Sequence, residues 1–243
     1  MDARSGMVSG YLLKWILMPG MDGTGRLFEP LVRAIGDNAN VQVLSYPQDS
    51  ANDYESLTDF VVDALPDKEP FILVAESFSG PLALLASAHK PNGLQAIVLC
   101  ATFIRNPVPF GGPWMTPFMN PIWFKWTPMA LMSHVLLGAN PDQRLKAALI
   151  ESLHEASPTV LTARSKAVLT VDASQALRDS SVPILYLRAQ RDRVVLKGSL
   201  HDILSIRPDV TTVEIDGPHL LLQTRPELCR DVIDTFLRKG FNV

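Results

Sequence analysis

The string FILVAESFSGPLALL sets a serine where nucleophilic chemistry needs one. An apolar, β-rich run leads into Ala75-Glu76-Ser77-Phe78-Ser79-Gly80, and a helical pattern follows with Pro81 in its first turn. A nucleophile on a sharp strand-to-helix turn needs small residues two positions before and two after it, because the backbone there is strained and closely packed. Ala75 and Ser79 meet that demand, so G-x-S-x-G is relaxed to A-x-S-x-S with Gly80 next. The bare pattern also fits a structural serine at a helix N-terminus, so the partners of Ser77 decide the reading.

A serine hydroxyl is a weak nucleophile near neutral pH. It needs a base to take its proton and a third group to hold that base in the right tautomer. When the serine sits on a strand-to-helix turn, its acid and then its base are expected on turns after later strands. Asp192 follows PILYLR in AQRDRVV, and His219 follows VTTVEID in GPHLLLQ. His89 ends a helical pattern, His134 and His154 fall in an insertion, and His201 lies on a helical pattern, so each reads as structural or surface. Asp216 is too near His219 in sequence to reach around it, Asp179 precedes its strand, and Asp172 ends the insertion. The competing reading of Arg191-Asp192-Arg193 is a solvated charge cluster. An oxyanion needs two N–H donors. Phe78 N–H supplies one, and Met21 N–H in MPGMDGTGRLF is the natural second, with Gly20 and Gly23 allowing a tight turn. That loop lacks the Gly-Lys-Ser/Thr ending of a phosphate loop and the G-x-G-x-x-G of a dinucleotide site. No HExxH or comparable ligand set occurs, so neither a cofactor nor a metal is expected.

Six short apolar runs can position these groups: residues 12–18, 41–46, 71–76, 94–100, 183–188 and 210–216. Near-continuous runs of this kind suit strands covered on both faces, and helical patterns lie between them, which predicts a mostly parallel sheet of about six strands flanked by helices. One helix is expected from about Gly25 to Ile35. Another opens at an Asn52/Glu55 capping box, and the strongest opens at Pro226, with Cys229, Val232, Ile233, Phe236 and Leu237 on one face. The alternation breaks between Thr102 and Ser180, where proline, tryptophan, phenylalanine and methionine crowd together and helical patterns follow. The expected division is a core of 10–101 and 181–243 with a helical cap at 102–180. Trp114, Phe118, Trp123 and Trp126 are candidate walls of a substrate pocket, and about half of the cap's large apolar residues should instead form its own core.

With 243 residues the chain can bury a core large enough to fold unaided. Its formal charge is −3, with Lys and Arg scattered along it, so no stripe invites a run of phosphates and nucleic acid is not expected as a partner. Cys100 and Cys229 form no CxxC pair or ligand cluster and read as buried and reduced. YLLKWILM is interrupted by Lys14 and reads as a strand. No later stretch reaches the roughly 20 apolar residues that span a bilayer, so stable membrane insertion is not expected and a cytoplasmic location is. Residues 1–9 read as a flexible leader, with Met7 as an alternative start. An exposed apolar cap would also suit a homodimer.

Through PGMDGTG, AESFSG, RDRVV and GPHLLLQTRPE, in that order, the chain resembles the α/β-hydrolase superfamily over nearly its whole length. It is similar in outline to small bacterial carboxylesterases of the pimeloyl-carrier-protein methyl ester esterase group. PGMDGTG with ESFSG is also similar to the plant esterase/lipase/thioesterase group that makes phytyl esters. The common His-Gly of the oxyanion loop is Pro19-Gly20 here, the first elbow glycine is Ala75, and the two extra N-terminal strands of larger members are not expected. The resemblance implies a serine carboxylesterase acting on a small acyl ester through an acyl-enzyme intermediate. Acyl thioesterase or acyltransferase activity uses the same machinery, and a non-catalytic ligand-binding protein could share the scaffold.

Overall fold

The computed structural model describes residues 7–8, 11–49, 52–108, 111–122 and 128–241. Met7–Val8 (β1) and Tyr11–Leu12 (β2) form a small antiparallel pair. The main sheet is built from Lys14–Met18 (β3), Asn40–Val43 (β4), Phe71–Glu76 (β5), Leu94–Cys100 (β6), Ile184–Ala189 (β7) and Thr211–Ile215 (β8). Its order is β4-β3-β5-β6-β7-β8, and every neighbouring pair is parallel. Each of the six apolar runs is therefore a strand of one parallel sheet, as the sequence predicts.

Side-chain alternation explains why these strands read as continuous apolar runs. Along β5, Phe71, Leu73 and Ala75 join one core cluster, while Ile72 and Val74 join another on the opposite face. The first cluster takes in Tyr54–Ala64 (α2) and Ser79–Ala88 (α3), and the second takes in Glu29–Ile35 (α1). Both faces are thus covered, and nothing on β5 can be polar until its last residue.

Between β6 and β7 the described residues form a 3-10 helix, Pro113–Phe118, and four helices. These are Met129–Leu137 (α4), Gln143–Glu155 (α5), Pro158–Val168 (α6) and Ser174–Asp179 (α7). The later part of this stretch is continuous with the core, since Val168, Val171, Ala173 and Leu177 belong to the cluster that holds α3. Leu137, Leu145 and Leu149 instead meet Leu27 and Leu220 in a small separate cluster. Lys197–Ile206 (α8) and Leu221–Thr224 (α9) follow β7 and β8. The last helix, Pro226–Phe241 (α10), buries Cys229, Ile233 and Leu237 against the sheet at the predicted spacing. Cys100 and Cys229 are both buried and free. Among the described residues no helix is long and apolar enough to cross a membrane.

Two local expectations are corrected. The α2 cap is Asp53, whose carboxylate accepts the Ser56 N–H at 2.8 Å, and not Asn52. Asn52 is 2% exposed and accepts from the Arg164 Nε at 3.0 Å, a tertiary bond that outcompetes the local box. The helix after Ser77, where the spacing of Leu82, Leu85 and Ala86 predicts one apolar face, is buried nearly all round.

The chain order places the functional end of the sheet. From β3 the chain goes to one side to make β4, then returns to the other side to make β5. In open α/β sheets, ligands bind in the crevice at the carboxyl ends of the strands where the order reverses. Pro19-Gly20 and Ser77 leave the carboxyl ends of these two neighbouring strands.

Candidate active site

Ser77 closes β5 with φ of 50°, in the left-handed region that side-chain-bearing residues rarely occupy. Its N–H donates to the Cys100 carbonyl at 2.9 Å, and its carbonyl accepts from the Gly80 N–H at 3.2 Å and from the Thr102 hydroxyl. The turn is thus held from β6 as well as from its own helix. A Cβ at Gly80 would lie 2.0 Å from Thr102 Oγ1, so this glycine is required. At the position where the usual motif has its second glycine, Ser79 fits by donating its hydroxyl to the Pro19 carbonyl while sharing a hydrogen bond with Tyr46. Tyr54 in turn donates to the Phe78 carbonyl at 3.0 Å and stacks on the Phe78 ring.

His219 Nε2 lies 2.9 Å from Ser77 Oγ, and His219 Nδ1 lies 2.9 Å from both carboxylate oxygens of Asp192. With Nδ1–H donating to Asp192, Nε2 is left as the acceptor for the serine proton. Asp192 Oδ1 also accepts the N–H groups of Val194 and Val195 at 2.8 and 2.9 Å, which fixes the carboxylate on its turn. The two loops are joined by Gln190 N–H to the Ile215 carbonyl and Arg191 N–H to the Gly217 carbonyl. Acid and base therefore move as one unit. Their side chains are only 6% and 3% exposed, unlike a solvated charge cluster. Asp216 instead pairs with Arg191 at the surface.

The loop after β3 passes close to the serine, since a Cβ at Gly20 would lie 4.0 Å from Ser77 Cβ. Among the described residues, neither Met21 N–H nor Phe78 N–H is used in a hydrogen bond. Both N–H groups are thus left without an acceptor, one on the residue after Ser77 and one on the residue after Gly20.

A residue that sequence reasoning missed holds that loop. Arg164 on α6 is fully buried and donates to the carbonyls of Met21 and Asp22 at 2.8 and 2.7 Å, to Pro47 at 3.1 Å and to Asn52. Its guanidinium carbon lies 5.7 Å from the centre of the Tyr46 ring. Burial pulls its pKa down to about 10, which still leaves it charged near neutral pH. The guanidinium fills the space beside Gly23, where φ is 71° and a Cβ would lie 2.3 Å from it. A second anchor comes from α5, where Ser152 donates to Asp22 Oδ2 at 2.6 Å. Asp22, an acid inside a glycine-rich loop, is the one signal of this network present in the sequence.

Behind the serine, Glu76 is 1% exposed, and its Oε2 accepts from the Gln223 amide on α9 at 2.8 Å. Burial pushes the Glu76 carboxyl up to about 8 from an ordinary value of 4.5. Between those limits the folded protein holds a proton that the unfolded chain releases, so this group makes stability fall as pH rises through the window. Glu76→Gln keeps a neutral partner for Gln223 and should remove the fall. In urea denaturation the variant should match wild type near pH 5 and exceed it at pH 9 by on the order of a few kcal/mol. Parallel losses in both proteins would show that Glu76 does not titrate in this window.

Trp114 and Phe118, both expected at a substrate pocket, stand at the surface of the 3-10 helix, 65% and 70% exposed, and that helix has no buried residue. Trp123 and Trp126 lie outside the described residues. Among the described residues no group of three or more His, Cys, Asp or Glu side chains is placed to hold a metal ion.

A parallel six-stranded sheet with a strained serine after its third strand in spatial order and a carboxylate–imidazole pair after the last two defines an α/β-hydrolase fold. The chain is a hydrolase and belongs to the family described as serine aminopeptidase, S33, whose model matches residues 37–217. Over 102 residues it is 31% identical to phytyl ester synthase 1 of the Arabidopsis thaliana chloroplast. That match takes in 38% of this chain and only 14% of the length of that relative. A hydrolase from Oleispira antarctica has a similar structure, with a TM-score of 0.78 and 16% identity over 93% of this chain and 91% of its own. A lipase-esterase related protein from Clostridium acetobutylicum gives a TM-score of 0.76 and 16% identity over 92% of this chain and 93% of its own.

Proposed function

We propose that the protein is a serine carboxylesterase that hydrolyses short- to medium-chain acyl esters. The observation that carries this reading is the hydrogen-bonded series from Ser77 Oγ through His219 to Asp192, set on a strained turn. In the proposed reaction Ser77 Oγ attacks the acyl carbon while His219 Nε2 takes its proton, and Asp192 faces the imidazolium that results. The carbonyl oxygen, now negative, accepts from Met21 N–H and Phe78 N–H. Collapse expels the alcohol, which takes the proton from His219. A water then attacks the acyl-enzyme with the same base, releasing the acid and restoring Ser77. Arg164 serves here as a positioning residue, because it grips the Met21 and Asp22 carbonyls, in the two peptide units that follow the one carrying the Met21 N–H, and so fixes the course of the loop just after that donor. Segment 102–180 acts as a cap in this reading, and two of its helices anchor the oxyanion loop.

The family description points to peptides and the plant relative's name to ester synthesis. The second favours acyl thioesterase or acyltransferase activity as the alternative, since the same acyl-enzyme can be formed from a thioester or passed to an alcohol. One panel tests all of these: p-nitrophenyl esters of increasing length, acyl thioesters, and aminoacyl p-nitroanilides. Each acyl methylene that gains apolar contact contributes about 0.8 kcal/mol, roughly fourfold in kcat/KM. The ester series should therefore rise from acetate to about butyrate or hexanoate and then decline. Trp114→Ala should move that optimum without removing turnover of acetate. Faster turnover of an aminoacyl anilide than of any ester would replace the esterase reading with a peptidase one.

A further inference from the structure

Six arginines far apart in the sequence meet beside the acid–base pair. Arg191, Arg193 and Arg225 line a cavity of about 470 Å³, and Arg26, Arg33 and Arg144 line a second of about 310 Å³. The two cavities are neighbours, with Asp142, Leu145 and Gln223 in the walls of both. Six guanidinium groups thus face two wall carboxylates, Glu29 and Asp142, on a chain whose net charge is −3.

Ion pairing leaves half of that positive charge unmatched. Arg26 pairs with Glu155, Arg33 with Glu29 and Arg191 with Asp216. Arg144, Arg193 and Arg225 have no carboxylate within salt-bridge distance among the described residues. The Arg193 guanidinium donates to His134 Nε2 at 2.5 Å, and Arg225 donates to the carbonyls of Asp216 and Thr224. Asp142 is occupied in capping α5, accepting the N–H groups of Arg144 and Leu145. Guanidinium groups bind phosphate oxygens in charge-assisted, commonly bidentate bonds. Three unmatched ones, spread over two neighbouring cavities, suit a ligand with more than one anionic centre. Each cavity alone has the volume of an ordinary small-molecule site.

We infer that this groove is a second ligand site, one that takes a diphosphate group. It adjoins the catalytic centre through Gln223, which lines both cavities and donates to Glu76, the residue before Ser77. Arg191 and Arg193 flank Asp192, and Pro218, also in the wall, precedes His219. A ligand there touches the loops that carry acid and base. The site stands whether or not Ser77 is the nucleophile, because its test reads binding and not turnover.

Isothermal titration of the wild-type protein with ADP, and separately with pyrophosphate, should give saturable binding that weakens as KCl is raised, since salt screens exposed charges. Arg144→Gln and Arg193→Gln should each weaken it about tenfold and together about a hundredfold, as expected for the loss of charge-assisted bonds. Arg178→Gln, on α7 and outside the groove, should leave it unchanged. Melting temperatures check that all four variants fold, and the salt dependence of wild type tests the site without any substitution. Tighter binding of ADP than of pyrophosphate assigns the rest of the cavity to the nucleoside, and equal binding assigns the site to the diphosphate alone. Either result supports the inference. No saturable binding of either ligand at low salt, or affinity unchanged in the folded double variant or by salt, would overturn it.

Discussion

Ser77→Ala is expected to lower kcat on a p-nitrophenyl ester by about 10⁶ while leaving the melting temperature near that of wild type, because it removes the oxygen that attacks the ester in the proposed reaction. The substitution takes away one hydroxyl and no buried apolar surface. The turn itself is held by backbone groups of Ser77, through Cys100, Gly80 and Thr102, and these remain. Alanine must still adopt φ near 50°, as serine does, so the strain is common to both proteins. A variant that kept a tenth of wild-type turnover would move the nucleophile elsewhere.

Asp192→Asn should cost about 10⁴ in kcat with little change in KM. The carboxylate accepts from His219 Nδ1–H and from the Val194 and Val195 N–H groups at once. An amide in its place can present an N–H to the ring. The imidazole then turns its lone pair to Nδ1 and its proton to Nε2, where it can no longer accept from Ser77. The imidazolium formed in the reaction also loses its facing charge. Asp216→Asn, at a surface ion pair, is the control and should stay within about twofold, because exposed pairs contribute little. Loss of activity in Asp216→Asn with Asp192→Asn harmless would reassign the acid.

The two residues that reach Ser77, Asp192 through His219, were legible because the fold converts chain order into place. Strands that are buried on both faces leave long apolar runs, and polar residues just after such runs fall on the loops at one end of the sheet. Asp192 and His219 stand out for that reason. Arg164 was not legible in the same way. It lies on a helix whose charged and apolar residues show no marked segregation, and its partners are backbone carbonyls, which carry no sequence identity. The relaxed elbow was legible only as a departure. Ser79 in place of glycine and Pro19 in place of histidine look unrelated in sequence, yet the serine hydroxyl donates to the proline carbonyl. That bond accounts for Ser79, whereas Pro19 has no structural explanation, since any residue there would offer the same carbonyl. Local capping misled at Asn52, where a buried guanidinium claims the side chain and Asp53 takes over the cap. The scattered arginines gave no stripe along the chain, and only the packing of α4 and α5 against residues 26–33 and the loops after β7 and β8 brings them together. Composition placed Trp114 and Phe118 among pocket or core residues, and they are found exposed. If they contact substrate, the acyl chain must cover them from outside.

In the proposed reaction Ser77 Oγ, made nucleophilic by His219 and Asp192, forms a covalent acyl-enzyme. Intact-protein and peptide mass spectrometry after brief exposure to a fluorophosphonate, which phosphonylates an activated serine with loss of fluoride, reads that nucleophile directly. One adduct per chain is expected, located on Ser77, with loss of esterase activity in proportion to labelling. Ser77→Ala should give no adduct, and Asp192→Asn should be labelled far more slowly. Stoichiometric labelling at another residue, or full esterase activity in protein whose Ser77 is completely modified, would contradict this role for Ser77.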